Sequence, residues 1–197
     1  MTTGSLRVLA GIAGAALFIA AIWIFVIAPK MNARAADGIG RGEYVLSTTE
    51  GTEFTQESLP GQVTAVFFGF THCPDVCPTT LGDMMGWQER LGDEAQDLRI
   101  LFVTVDPERD TLPMLSDYVS WLPGAIAATG TPDEVKKAED AFRVFAQREP
   151  LEDGDYTMSH TSKVMLFDRD GEFADTISYQ EDEDSAVAKI DALLQAS

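Results

Sequence analysis

The chain has 197 residues, with 32 acidic against 14 basic side chains and a formal charge of -18 at pH 7. A surface that negative repels phosphate backbones and excludes nucleic acid as a partner; it serves solubility, or it steers a basic partner or a cation toward the protein. Two cysteines in the whole chain exclude a disulfide-stapled scaffold, and the length fits one domain with a sizeable core plus an appendage.

After residues 1–7, Val8 to Ala28 carry no charge and are almost all apolar. Such a run is long enough to cross the ~30 Å hydrocarbon core as a helix. Trp23 and Phe25 stand near its far end, where an aromatic belt forms. Ala33-Arg34-Ala35 has the shape of a signal-peptide cleavage site, but the apolar run exceeds the usual ~7–15 residues of a signal peptide. The reading is an uncleaved transmembrane anchor over 8–28. Basic residues on both sides, Arg7 before and Lys30, Arg34 and Arg41 after, leave its orientation undecided by charge. Residues 29–42 are small, polar and glycine-containing, a linker, and the globular domain is read as 43–197.

Within that domain Tyr44–Leu46 and Thr52–Phe54 flank Glu50-Gly51 as a hairpin. Val63 to Gly69 is an apolar, β-branched and aromatic run, the pattern of a fully buried strand. A helix is expected from Pro78 to about Leu91, because proline suits a first helical position. Arg99 to Val105 is a second buried strand, Leu112 to Leu122 a helix, and Gly124 to Ala128 a short strand. Thr131-Pro132-Asp133-Glu134 combines a cap, a first-position proline and an acidic third residue. The helix it starts carries the apolar stripe Val135, Ala138, Phe142 and Phe145 toward the core. Pro150 to Asp155 reads as an acidic loop. Lys163–Phe167 and Phe173–Tyr179 form a hairpin about Asp168–Gly171, and Val187, Ile190, Leu193 and Leu194 mark a last amphipathic helix. Strands alternating with helices, then a hairpin before the last helix, predict an α/β sandwich with a mixed central sheet, and a dithiol at a strand-to-helix turn of such a sheet makes the expected fold thioredoxin-like.

Both cysteines, Cys73 and Cys77, stand where the buried strand hands over to a helix. Unpaired N–H groups and the helix dipole make that place electropositive, which favours thiolate. Positions four apart lie on one helical face, with Cβ atoms ~5–6 Å apart. The pair can therefore close a disulfide or ligate one ion. The chain has two histidines. His72 adjoins Cys73, which turns its side chain away from the sulfur. His160 precedes the Lys163 strand, and in a thioredoxin-like sheet the loop there lies against the dithiol turn. His160 either hydrogen-bonds in its loop or completes a set of two sulfurs and one nitrogen. Thiolates with imidazole suit copper or zinc. Structural zinc sites want four ligands, so a three-ligand set favours copper. Met84, Met85 and Met158 could offer thioethers, but methionine is more often core filler. A dithiol on such a turn also fits a thiol–disulfide oxidoreductase. A peroxiredoxin-type peroxidase would need an arginine beside its cysteine, and only Arg109, through the fold, could supply it.

The segment Gly69-Phe-Thr-His-Cys-Pro-Asp-Val-Cys-Pro78 resembles the signature of the Sco/SenC family of copper chaperones. Val103-Thr-Val-Asp-Pro-Glu-Arg-Asp-Thr111 resembles its second motif, and Tyr156 to Thr161 its histidine motif. The resemblance implies a thioredoxin fold facing the periplasm or the mitochondrial intermembrane space. It implies one copper ion, Cu(I) or Cu(II), held by two Cys and one His: here Cys73, Cys77 and His160. It further implies delivery of copper to the dinuclear centre of cytochrome c oxidase subunit II, or reduction of that subunit's cysteines. The partners implied are subunit II and a periplasmic thiol reductant or second copper chaperone. The location implied is a single pass through the inner membrane, with residues 1–7 cytoplasmic and the C-terminal domain periplasmic. One departure is Ser159, where the family usually has aspartate before the histidine; the serine removes a negative charge beside the ligand and leaves the ligand in place.

Overall fold

The computed structural model describes residues 38–152 and 154–196, and Trp23. Gly38–Ser197 forms a unit distinct from Met1–Asp37. The expected anchor over 8–28 lies outside the described residues, apart from Trp23; among the described residues no helix is long and apolar enough to cross a membrane. Ile39 packs against the core, the Gly40 N–H donates to the Ala141 carbonyl, and the Tyr44 hydroxyl donates to the Gly40 carbonyl.

Among the described residues, nine strands and four α-helices follow, joined in places by 3-10 turns. They are β1 (Leu46–Thr48), β2 (Glu53–Phe54), β3 (Val63–Gly69), α1 (Val76–Leu91), β4 (Leu98–Thr104), α2 (Leu112–Val119) and β5 (Ala125–Thr129), then α3 (Pro132–Ala141), β6 (Ala146–Pro150), β7 (Tyr156–His160), β8 (Val164–Phe167), β9 (Phe173–Ile177) and α4 (Glu183–Gln195). Seven strands make one mixed sheet in the order β2-β1-β5-β4-β3-β8-β9. β3, β4 and β5 run parallel, and β8, β9 and β1 join antiparallel. The α/β class and the mixed sheet match the expectation.

β3 is the central strand. It pairs with β4 on one side and β8 on the other, so Val66 stands opposite Leu101 and Met165. Every β3 residue is buried, which is why its sequence is apolar on both faces rather than alternating. Phe67 and Phe102, opposite one another in the register, have ring centroids 6.0 Å apart. β3 and β4 reach their C-terminal ends together, Gly69 opposite Thr104. Open α/β sheets place ligands beyond those ends.

The helix expected from Pro78 begins at Val76, so Cys77 lies inside its first turn while Cys73 lies before it. The helix opened by Thr131 starts as expected, with the Thr131 side chain accepting from the Glu134 N–H. Its stripe departs from expectation at the end. Val135, Ala138 and Phe142 are buried, but Phe145 is 57% exposed. α3 stops at Ala141, and Arg143 takes a left-handed φ of 54°. Helical spacing therefore ends before Phe145, and the residue is carried out toward solvent. The chain then forms a feature absent from the sequence reading. β6 and β7 pair antiparallel as a two-stranded sheet of their own, Ala146 opposite His160 and Pro150 opposite Tyr156. The expected acidic loop is the tip of that ribbon, and His160 arrives at the end of a strand rather than in a loop.

Candidate metal centre

The polypeptide leaves β3 at Gly69 and turns before α1. The Cys73 N–H donates to the Phe70 carbonyl. Thr71 fastens this turn to a buried carboxylate: its N–H and its hydroxyl both donate to Asp110, at 3.0 and 2.6 Å. The Thr104 hydroxyl donates to the same carboxylate. Asp75, at the N-cap of α1, makes no side-chain cap bond. The Cys73 sulfur accepts instead from the Cys77 N–H, 3.3 Å away. A thiol thus serves one of the unpaired amides of a helix start, which favours its anionic form.

Hydrogen bonding from the side of Cys77, with smaller help from the Cys77 and Asp75 N–H groups, outweighs desolvation and brings the Cys73 pKa down to about 4. Cys77 moves the other way: the same bond to Cys73, then burial, holds its proton. The two sulfurs share one proton, with the charge on the half-buried Cys73 and the hydrogen on the buried Cys77. Room for the second sulfur comes from Gly69. A Cβ there would stand 2.7 Å from Phe102 Cε2 and 2.9 Å from Cys77 Sγ.

His160 enters from β7. Its Nδ1 lies 2.9 Å from the Thr161 carbonyl oxygen. A carbonyl only accepts, so Nδ1 carries the hydrogen and Nε2 presents its lone pair. That Nε2 is 3.8 Å from Cys77 Sγ. Phe67 and Phe70 set their rings edge-on to the imidazole, at centroid distances of 6.4 and 5.8 Å. One ligand atom from each of Cys73, Cys77 and His160 lies within 4.8 Å of the others. Two soft sulfurs, one of them already charged, and an imidazole nitrogen with a free lone pair are positioned to bind a metal, and this donor set suits copper.

The remaining sequence candidates fall elsewhere. His72 is exposed, 3.0 Å from the Thr71 hydroxyl and 3.9 Å from Asp110. Met84 is buried in the core, and Met158 packs against it. Arg109 is committed to Asp106, Asp155 and the Tyr156 carbonyl. Ser159 stands opposite Gln147 in the ribbon. Two contributions were not read from the sequence: the contact of the Asp110 carboxylate with Thr71, although Asp110 lies in the Val103–Thr111 motif, and Tyr118 of α2. The Tyr118 hydroxyl is buried without a hydrogen-bond partner. Burial first, then the nearby thiols and Asp110, raises its pKa.

The SCO1/SenC family model matches residues 32–195. The human mitochondrial SCO1 homolog is 39% identical over 138 residues, 68% of this chain and 46% of that protein. Mitochondrial SCO2 of Saccharomyces cerevisiae is 35% identical over 159 residues, 79% of this chain and 53% of that protein. The chain therefore spans about half the length of these curated relatives. Among solved structures, copper-bound ScoI of Bradyrhizobium japonicum is 38% identical with a TM-score of 0.72, over 79% of this chain and 99% of that one. Copper-bound yeast Sco1 is 34% identical with a TM-score of 0.71, over 79% and 89%. The match runs through the dithiol turn, the Asp106–Asp110 loop and the ribbon that ends in His160, and on that ground the chain belongs to the SCO1/SenC family.

Proposed function

We propose that this protein is a membrane-anchored copper chaperone that binds one copper ion through Cys73, Cys77 and His160 and passes it to the dinuclear site of cytochrome c oxidase subunit II. The observation that carries the reading is the convergence of two sulfurs and one lone-pair nitrogen within 4.8 Å, in a family whose solved members include copper-bound forms. Copper is cargo here, so the site must both hold and release it. A half-buried Cys73 at the surface of the pair and a buried Cys77 beneath it suit release by stepwise ligand exchange. The apolar run over 8–28 supports an anchor, and the family resemblance supports a periplasmic domain. A periplasm-specific reporter fused after Ser197 should be active, and an inactive one would reverse the topology.

A second reading is favoured by the thiol pair alone. The Cys73 thiolate can attack a partner's disulfide and release one partner thiolate, and Cys77 can resolve the mixed disulfide. The partner gains two electrons and this dithiol becomes a disulfide. One experiment separates the readings: copper titration with absorption spectra, and disulfide reduction, on wild type, Cys73→Ser, Cys77→Ser and His160→Ala. A chaperone loses Cu(I) and Cu(II) in both serine variants, and loses chiefly Cu(II) in His160→Ala. Unchanged thiolate-to-Cu(II) absorption in His160→Ala would overturn the ligand set. Reductase activity that survives His160→Ala in full, with no copper bound by wild type, would favour the second reading.

A further inference from the structure

The two halves of the metal centre come from separate parts of the fold, and one short turn touches both. Residues Asp106 to Asp110 follow β4. The Asp110 N–H donates to the Asp106 carbonyl at 2.9 Å, and the Arg109 N–H to the same oxygen at 3.2 Å, which closes the segment into a single hydrogen-bonded turn. One end of this turn is Asp110, whose carboxylate takes both donors of Thr71, two residues before Cys73. The other end is directed at β7. The Tyr156 hydroxyl donates to Asp106 Oδ1 at 2.8 Å. Arg109 donates from Nε to Asp106 and from Nη1 to the Tyr156 carbonyl, the latter at 3.0 Å. Its guanidinium carbon lies 3.7 Å from the centre of the Tyr156 ring. Arg148 of β6 lies over the same ring at 3.9 Å and pairs with Glu108, also of the turn.

These contacts matter because the β6–β7 ribbon is a two-stranded sheet outside the main one. Such a ribbon is marginal in water by itself and needs fastening to hold a side chain in place. Tyr156 and His160 are four residues apart on one strand, and residues at i, i+2 and i+4 share a face. Fixing Tyr156 therefore fixes the face and the axial position from which His160 projects. Asp106 and Arg109 are largely buried, with side chains 2% and 17% exposed, so the anchor is not a surface ion pair of little consequence.

We propose that Asp106 and Arg109 are positioning residues for the metal centre: through Tyr156 they hold the imidazole of His160 at the distance from the two sulfurs that copper requires, while Asp110 of the same turn holds the sulfurs. The proposal rests on the reading of Cys73, Cys77 and His160 as the ligands. It assigns the turn an effect that general loss of stability does not produce. The dithiol is preorganised without Arg109, so releasing the ribbon removes only the third ligand. Cu(I) tolerates two soft ligands, and Cu(II) prefers added nitrogen.

The test uses the full chain and the ions themselves. Arg109→Ala should weaken Cu(II) binding by about tenfold or more, the usual range for losing an outer partner of a ligand, and should diminish the thiolate-to-Cu(II) absorption. Its Cu(I) affinity should stay within about threefold of wild type, and its titre should stay at two thiols per chain. Arg109→Lys should recover only part of the loss, because an ammonium cannot both stack on the ring and fork to two acceptors. In the metal-free protein the His160 ring resonances should broaden in Arg109→Ala, a readout that involves no copper. Should Arg109→Ala fold poorly, Tyr156→Phe keeps the ring and removes one hydrogen bond, and should show the same selectivity to a smaller degree. Equal loss of Cu(I) and Cu(II) would mean a merely structural role and overturn the proposal. So would wild-type Cu(II) absorption in Arg109→Ala when His160→Ala abolishes it. If His160→Ala itself leaves the absorption intact, the ligand set fails and the positioning role falls with it.

Discussion

At the scale of single residues, the decisive asymmetry is between two sulfurs of one chemistry. Cys73 accepts from the Cys77 amide at 3.3 Å, and this with the neighbouring Cys77 thiol brings its pKa down to about 4; Cys77 is buried and its pKa is raised. An ordinary thiol titrates near 8.5. Cys73 should therefore be alkylated by iodoacetamide at pH 6, with Cys77 spared, as peptide mass spectrometry would read. Because the bond from Cys77 is the largest of the influences lowering Cys73, Cys77→Ala should move the pH at which Cys73 reacts upward. An unmoved profile would show that the helix start alone sets the thiolate. The sign also matters for metal uptake. Only thiolates ligate, so protons compete with copper, and Cys73 needs to lose none at neutral pH while Cys77 must release one.

At the scale of elements, legibility in the sequence follows burial. β3 was readable because both its faces are covered, and a continuous apolar run admits little else. α3 was readable at its start, where Thr131 and Pro132 act locally on the backbone. Its end was not: the left-handed Arg143 breaks the stripe, and no glycine marks the place. β6 and β7 were missed for a related reason. β6 is exposed at four of its five positions and ends in proline, and β7 is half-buried throughout. A ribbon that covers little core carries little hydrophobic period. The candidate ligands could be named because they are the chain's only cysteines and one of its two histidines. The groups that hold them lay in the Val103–Thr111 motif, but their contacts could not be read from it. Asp106, Asp110 and Arg109 occur in a turn rich in such residues, and their roles depend on Thr71 and Tyr156, which lie 39 and 47 or more positions away. No local pattern records a contact at that range.

At the scale of the whole molecule, the metal centre exists only when two distant parts of the chain are both in place. Cys77 and His160 are separated by 83 positions. The cysteines are neighbours in any conformation, whereas the imidazole reaches them only through the folded sheet and ribbon. Unfolding thus leaves a dithiol that still attracts Cu(I), and no assembled three-ligand site. A ligand that binds only the native state stabilises it by RT ln(1 + [L]/Kd), about 4.1 kcal/mol at a thousandfold excess over Kd, and any affinity for the unfolded chain subtracts from that. The two oxidation states should therefore differ as protectants against heat. At equal saturation of the native protein, Cu(II) should raise the melting temperature more than Cu(I) does, and His160→Ala should erase the difference. Calorimetry on protein kept free of oxygen measures both. Equal shifts for the two ions would place the third ligand within reach of the unfolded chain. By this route the separation of His160 from the cysteines should make the thermal stability of the folded protein depend on the charge of the metal it binds.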